Sequence, residues 1–492
     1  DRFRGVATEA TIISIIVTKD GLPPFGNNPG RTGQFNPALL PSAFAFATDK
    51  IEELGLPSVT LLNIGSIGDP TDGSVSFCNL VDDYVAAGNP FVCGVGDDGG
   101  QDNSSVKMLT EGEVTDFVFE KGQDGFLRFT AWYAEDARVQ LSIIRPDGTI
   151  EGPFAPPTGP SSARDQNLDG ISIFHRGRDV EFSGSSAELR QLLIDFSGMT
   201  GAYTVRLSTT SIGTDNSIIG MLNPATFSST NRFTNTTMPG GNLASFSACF
   251  GTITPGDYVA TNNYIDVNGV PRARTGEGLP GEIWLGSSVG PTMDGRDGVD
   301  FVAPGEISFG AYSDDSFYSS FTFAQVEGGD GKYGIQTAVS AAAPLVTGLI
   351  ALMLEVKPDL TSEQIRTILQ ETARTDNFTG TTPNTVWGHG KLDAKAALDR
   401  VFDLVSVPSL SFAEVGITMS PNPVSEAFSL TSANSQADLF DLTIRDLHGR
   451  IVQRKQASLG KPISVAKLAR GVYLVSLRTV GGVATGRLVK QQ

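Results

Sequence analysis

Ser340-Ala341-Ala342-Ala343-Pro344-Leu345-Val346-Thr347-Gly348, continued by Leu349-Ile350-Ala351-Leu352-Met353-Leu354-Glu355-Val356, is the stretch whose reading decides the fold. Small and apolar residues fill its helical positions and leave no polar stripe, so the spacing predicts a helix buried on all sides. Pro344 falls in the first turn, where a missing N–H costs nothing. Lys357 and Pro358 end the run. Ser340 heads this helix, at the positive end of its dipole and beside free backbone N–H groups. An acyl-transfer enzyme places its nucleophile in such a position. An ordinary core helix capped by a serine fits the same residues.

Working outward, 492 residues exceed one core and suggest about three domains. Thirty-six Lys and Arg against 54 Asp and Glu leave a net charge of −18, which argues against nucleic acid or an anionic membrane surface as partner. No apolar run is long and unbroken enough for a lipid-exposed span, so no transmembrane segment is expected. Cys78, Cys93 and Cys249 lack metal-ligand spacing; one disulfide can form among them, its pairing and the redox compartment staying open. The chain begins at Asp1 without a signal peptide, which reads as a processed product or a fragment.

Residues 1–100 alternate between strand and helix. Thr11–Val17, Val59–Ile64 and Phe91–Val95 read as strands. One helix starts at Ser42 and stops at Gly55; another carries Leu80, Val81, Tyr84 and Val85 and stops at Gly88. This is the pattern of a parallel sheet with crossover helices. Residues 101–225 break it with short alternating strands, among them Gly125–Tyr133 and Arg138–Arg145, and a Pro146-Asp147-Gly148 turn, which suggests an inserted β-sandwich. His175 lies in this insert with no sequence partner and reads as a packed or surface histidine. Residues 226–402 return to the first pattern, with Thr361 and Gln364 as a capping box. A linker over 403–417 then leads to a compact β-sandwich over 418–492.

The nucleophile stretch resembles that of the subtilisin-like serine proteases, whose usual form is Gly-Thr-Ser-x-Ala-Ala-Pro. Here Ala338-Val339 replaces Gly-Thr. Further matches come in the family's order. Gly5-Val6-Ala7-Thr8-Glu9-Ala10 resembles Gly-Val-Ala-Pro-x-Ala. Asn63-Ile64-Gly65-Ser66 resembles one wall of the substrate cleft. Gly94-Val95-Gly96-Asp97-Asp98-Gly99 resembles the segment whose Asn supplies the side-chain donor of the oxyanion hole. Ser287-Ser288-Val289-Gly290-Pro291-Thr292, Asp300-Phe301-Val302-Ala303-Pro304-Gly305 and the closing Gly388-His389-Gly390-Lys391-Leu392-Asp393 complete the series. The resemblance implies a subtilisin-like α/β fold with helices on both faces of a parallel sheet. A jelly-roll-like insert would interrupt it, between segments 1–100 and 226–402. The nucleophile would be Ser340, the oxyanion position Asp97, and the substrate cleft Asn63, Gly65, Ser66, Gly94 and Gly96. A carboxylate at position 97 can donate to an oxyanion only when protonated.

The family's Asp and His motifs precede its Gly-Val-Ala-Pro segment, which here begins at Gly5. None of His175, His389 and His448 stands in a His-Gly-Thr-His motif. A serine needs a base within hydrogen-bond reach. The expectation is a secreted serine endopeptidase whose Asp and His lie upstream of residue 1, so that the chain alone is inactive. The alternative is a pseudoprotease acting as a surface-displayed binding scaffold. No cofactor is required, and a structural calcium ion has no assignable residues. The C-terminal module, with Ser420-Pro421-Asn422-Pro423, Leu468-Ala469-Arg470-Gly471-Val472-Tyr473 and Leu488-Val489-Lys490, resembles the sorting domain of the type IX secretion system, an Ig-like sandwich. That implies the secretion machinery as a partner through residues 418–492, beside a protein or peptide substrate. It also implies release or surface attachment in a Gram-negative bacterium.

Overall fold

A computed structural model of the chain describes residues 3–19, 34–122, 125–235, 238, 240–314, 317–405, 409–432, 440–446, 450–479 and 482–491. They divide into two units, residues 1–401 and 402–492.

Among the described residues there are five α-helices: α1 (Leu40–Leu54), α2 (Ser76–Ala86), α3 (Val339–Val356), α4 (Ser362–Glu371) and α5 (Ala394–Val405), the first four within the first unit and the fifth beginning in it. α1 stops where Gly55 takes a left-handed φ of 62°, the conformation a glycine C-cap supplies without strain. In α4 Thr361 and Gln364 close the capping box from both sides. α3 is the element the rest surrounds. Its Val346, Leu349, Ile350, Met353 and Leu354 pack with Ile365 and Leu369 of α4, Val401 of α5, and Val92, Ile253 and Phe301 of the strands. Each such side chain contributes about 1.5–3 kcal/mol on burial. Among the described residues α3 is the one helix apolar and long enough to cross a membrane by composition, and half of it is buried in this core.

Thr60–Leu61, Phe91–Val92 and Thr252–Ile253 pair in parallel, in that order across the sheet. Pro255–Val259 pairs in parallel with Phe301–Glu306, and α3 packs against both. The strands expected at Val59–Ile64 and Phe91–Val95 are thus shorter than their apolar runs. Thr11–Val17 is not a strand. Ile12 and Ile16 are 87% and 80% exposed, and only Thr18–Lys19 pairs, with Gln34–Phe35. A β-branched run forms a strand only when a neighbour offers its backbone along the run. Among the described residues Ile15 packs on the core around Phe44 and Tyr84, and Val17 O accepts from Asn36 N at 3.0 Å, with no strand pairing over 11–17.

Between the helical segments stand two antiparallel sheets. One runs in the order 163–168, 171–176, 189–196, 127–134, 217–223, 104–108; the other 232–233, 114–121, 201–211, 138–144, 150–154. Their facing sides share one core around Phe117, Phe119, Phe129, Phe196 and Tyr203, the construction of a sandwich. The sandwich runs past its expected end at residue 225. Arg232–Phe233 pairs with Phe119–Glu120, because Phe233 closes the aromatic cluster edge-on to Phe119 and Phe129. His175 is packed here, 2% exposed, its Nε2 2.5 Å from Tyr133 Oη. Burial, with the Arg190 cation nearby, pushes its pKa down to about 3, so the imidazole stays neutral.

In the second unit a five-stranded and a three-stranded sheet enclose a core of Phe428, Leu430, Leu442, Ile444, Val475 and Leu488. The expected linker over 403–417 contains part of this unit. Ser409–Ser411 pairs in parallel with residues 483–485, and Phe412 is buried in the core. Phe412, with Val415 and Ile417 packed beside it, ties this stretch to the sheet by apolar burial. Asn422 of the Ser-Pro-Asn-Pro turn pins the last strand, donating to Arg487 O at 2.7 Å and accepting from Val489 N at 2.8 Å. Of the turn Asp446-Leu447-His448-Gly449, the last three residues lie outside the described set.

Candidate active site

α3 begins in a groove of about 360 Å³ lined by Asn63, Ile64, Gly65, Gly94, Gly96, Asp97, Asp98, Thr226, Ala244, Val339 and Ser340. Of the residues singled out in the sequence, Ser340, Asp97, Asn63, Gly65, Gly94 and Gly96 meet here. Ser66 does not line the groove; its carbonyl turns to Ser245, accepting from the backbone N–H at 3.0 Å and from Oγ at 2.7 Å.

Close approach explains the glycines. A Cβ on Gly94 would lie 2.2 Å from Val339 Cγ1, and one on Gly65 would lie 2.6 Å from Ala244 Cβ. A side chain at either position would push the groove apart.

Three side chains from three segments grip the peptide groups around the serine. Glu306 Oε2 accepts from Ala338 N at 3.3 Å. Asp97 Oδ1 accepts from Val339 N at 3.1 Å. Asn63 Nδ2 donates to Ser340 O at 2.8 Å. The N–H groups of Ala341 and Ala342 turn to Ala338 O. Ser340 N–H makes no hydrogen bond among the described residues, and Ser340 is exposed in the groove. The head of α3 therefore offers a hydroxyl and a free N–H side by side.

The carboxyl groups beneath this loop are poorly solvated. Burial raises the pKa of Asp97, against the opposing hydrogen bonds from Val339 N–H and the Ser340 hydroxyl. Asp98 is pushed up to about 6, first by burial and then by the charge of Asp97. Asp257 is fully buried and raised well above the usual carboxylate range, chiefly by burial. Its Oδ1 holds Gly305 N at 2.6 Å and Glu306 N at 3.2 Å, while Oδ2 has no partner. An unpartnered buried oxygen fits the protonated form. Burial raises Glu306 as well. Arg274 Nε lies 2.8 Å from Glu306 Oε1, an ion pair not aligned as a hydrogen bond. Among the described residues no cluster of His, Cys, Asp and Glu has metal-binding geometry.

Neither described histidine lines the groove. His175 is sealed in the insert, and His389 sits in the Gly388–Gly390 turn with its N–H on Asp300 O. Sequence reading missed Asp98, Thr226 and Ala244 as groove residues. Asp98 adjoins the singled-out Asp97, but Thr226 and Ala244 carry no local signal; the fold alone brings them in.

Ala338 has φ 69° and ψ 179°, a region open essentially to glycine. This is where the resembling pattern carries Gly. The strain at an alanine there costs about 1–3 kcal/mol. A glycine also loosens the unfolded chain by about 0.5–1 kcal/mol. Ala338→Gly is therefore expected to stabilise the first unit by about 1 kcal/mol, read as a higher denaturation midpoint. A lower midpoint would show that Ala338 is not strained.

Comparison with known proteins finds matches to parts of the chain. Residues 224–390 match the subtilase family, and residues 418–491 match the secretion system C-terminal sorting domain. The serine protease AprX of Bacillus subtilis (strain 168) is 30% identical over 109 residues. That match spans 22% of this chain and 24% of the relative, so the chain aligns with about a quarter of that protein's length. The structure of the Clostridium perfringens CspB protease superimposes with a TM-score of 0.58 at 16% identity, covering 77% of this chain and 74% of that one; at that identity it speaks for the fold alone. The chain thus carries a subtilase-family segment over residues 224–390 and a secretion-system C-terminal sorting domain over residues 418–491.

Proposed function

We propose that this chain is the nucleophile-bearing part of a secreted subtilisin-like serine endopeptidase, with Ser340 as the nucleophile. The observation that carries the reading is the head of α3. There a solvent-facing serine has a free N–H, and its peptide groups are held by Asn63, Asp97 and Glu306. Ser340 Oγ attacks the peptide carbonyl and its proton passes to a base. The developing oxyanion is met by Ser340 N–H and by the Asp97 carboxyl in its protonated form. Neither described histidine reaches the groove, and this reading assigns the imidazole base and its Asp partner to polypeptide beyond these 492 residues. The Cys78–Cys249 disulfide supports an oxidising, extracytoplasmic destination. The sorting domain supports export through the type IX machinery, and a protein or peptide substrate follows from the chemistry.

A fluorophosphonate probe tests this. The full-length protein should label at Ser340 and cleave peptides, and Ser340→Ala should abolish both. The 492-residue chain by itself should do neither. Labelling of the isolated chain, lost in Ser340→Ala, would show that the base lies within these residues. No labelling of the full-length protein would favour an inactive binding scaffold.

A further inference from the structure

We propose that the inserted β-sandwich fixes one wall of the substrate groove, with Trp132 and Asn223 as positioning residues. The inference rests on the peptidase reading above and assigns the insert a part in substrate selection. The wall is Asn63–Gly65, and the chain continues from it as Ser66-Ile67-Gly68-Asp69.

Three consecutive residues of that continuation are held from the insert. Trp132 Nε1 donates to Gly68 O at 2.7 Å. Asn223 Nδ2 donates to Ile67 O at 3.4 Å. Ser183 Oγ donates to Asp69 Oδ1. The grip is also apolar: Ile67, 4% exposed, is buried with the Trp132 ring and Met221. Asp69 then passes the anchorage across the groove. Ser245 Oγ lies 2.7 Å from both Asp69 Oδ2 and Ser66 O, and Ser245 follows Ala244, which faces Gly65.

A loop of this kind ordinarily gives its carbonyls to water and moves. Here the carbonyls of Ile67 and Gly68 are capped by side chains of another sheet, one of them a buried indole. A buried donor of that kind is costly to lose, because its acceptor is then left unsatisfied. The insert also reaches the groove directly, since Thr226, just beyond its strand 217–223, is a lining residue. The insert carries none of the groove's reactive groups. It sets where the wall stands, and so which substrate side chains the groove accepts.

The test compares the full-length protein with its Trp132→Phe and Asn223→Ala variants. On a peptide panel KM should rise by about tenfold in Trp132→Phe, with kcat within about twofold and an altered subsite preference. The rate of fluorophosphonate labelling at Ser340 should hold within about twofold, since the probe does not span the wall. Backbone amides of residues 63–69 should exchange faster with solvent in both variants, those of α3 unchanged. Unaltered KM and subsite preference in an active enzyme would overturn the proposal. So would parallel losses of labelling and of α3 protection, which would reveal a merely structural role. Should the wild-type protein neither label nor cleave, the peptidase reading fails and exchange decides alone. Acceleration confined to 63–69 then supports the dependence of the wall on the insert, and its absence overturns it.

Discussion

Removing the Cys78–Cys249 disulfide destabilises the first unit by about 4–5 kcal/mol. The bond joins α2 to the residues just after the 245–248 turn, across a sequence separation of 171. The chain between those two points holds both sheets of the sandwich. In the chain-entropy account a cross-link stabilises by restricting the unfolded ensemble, and the effect grows with the logarithm of the loop. A loop of this length sits near the top of the range. Both sulfurs are buried in the core formed by Val75, Val81, Tyr84, Phe91 and Phe246, so the Cys78→Ala/Cys249→Ala pair adds only small cavities. In the folded chain Cys93 is buried and its pKa is pushed up to about 12 by burial, which keeps it from attacking the disulfide as a thiolate. Unfolding exposes it, so the measurement is made at acidic pH, where an ordinary thiol is protonated. Denaturant unfolding of the oxidised chain and of the double alanine variant reads the difference. A loss below about 1 kcal/mol would mean that the unfolded chain already holds these segments together.

How much of this was legible in the sequence follows from which interactions are local. The helix after Ser340, the stop at Gly55 and the capping box at Thr361 depend on residues within a few positions, and they stand where the sequence puts them. Gly65, Gly94 and Gly96 stand out in the sequence through a resemblance, and close approach to Ala244 and Val339 leaves them no substitute; Asn63 and Asp97 stand out through the same motifs. Strand edges were not legible. Thr11–Val17 has the composition of a strand and forms none among the described residues, whereas Arg232–Phe233 joins a sheet through the burial of Phe233, and Ser409–Ser411 joins one beside the buried Phe412. Pairing depends on a partner distant in sequence, and composition does not name that partner. The same holds for Asp257 and Glu306. Each sits in a sequence that looks like an ordinary strand, yet together they form the unsolvated acidic floor under the nucleophile loop.

Asp97→Asn leaves the full-length enzyme at least as active as the wild type, and the gain grows with pH. Asp97 Oδ1 is already committed to Val339 N–H, so the proton that could serve an oxyanion sits on the other oxygen. Burial raises the pKa and favours that protonated form, while the hydrogen bonds from Val339 and Ser340 oppose it. As pH rises through the pKa of Asp97, the donor is lost and a negative charge appears where negative charge must develop. The neighbouring Asp98, pushed up to about 6, adds a second negative charge as it ionises. The wild-type rate should therefore fall on the alkaline side. In Asp97→Asn the amide oxygen can keep the bond to Val339 N–H and the amide nitrogen donates at every pH, so the profile flattens. Asp97→Ala removes both functions and should cost about 100- to 1000-fold in kcat, the usual toll for one oxyanion donor. A loss of that size in Asp97→Asn instead would mean that the carboxylate acts in its charged form, and Asp97 could no longer be assigned to the oxyanion.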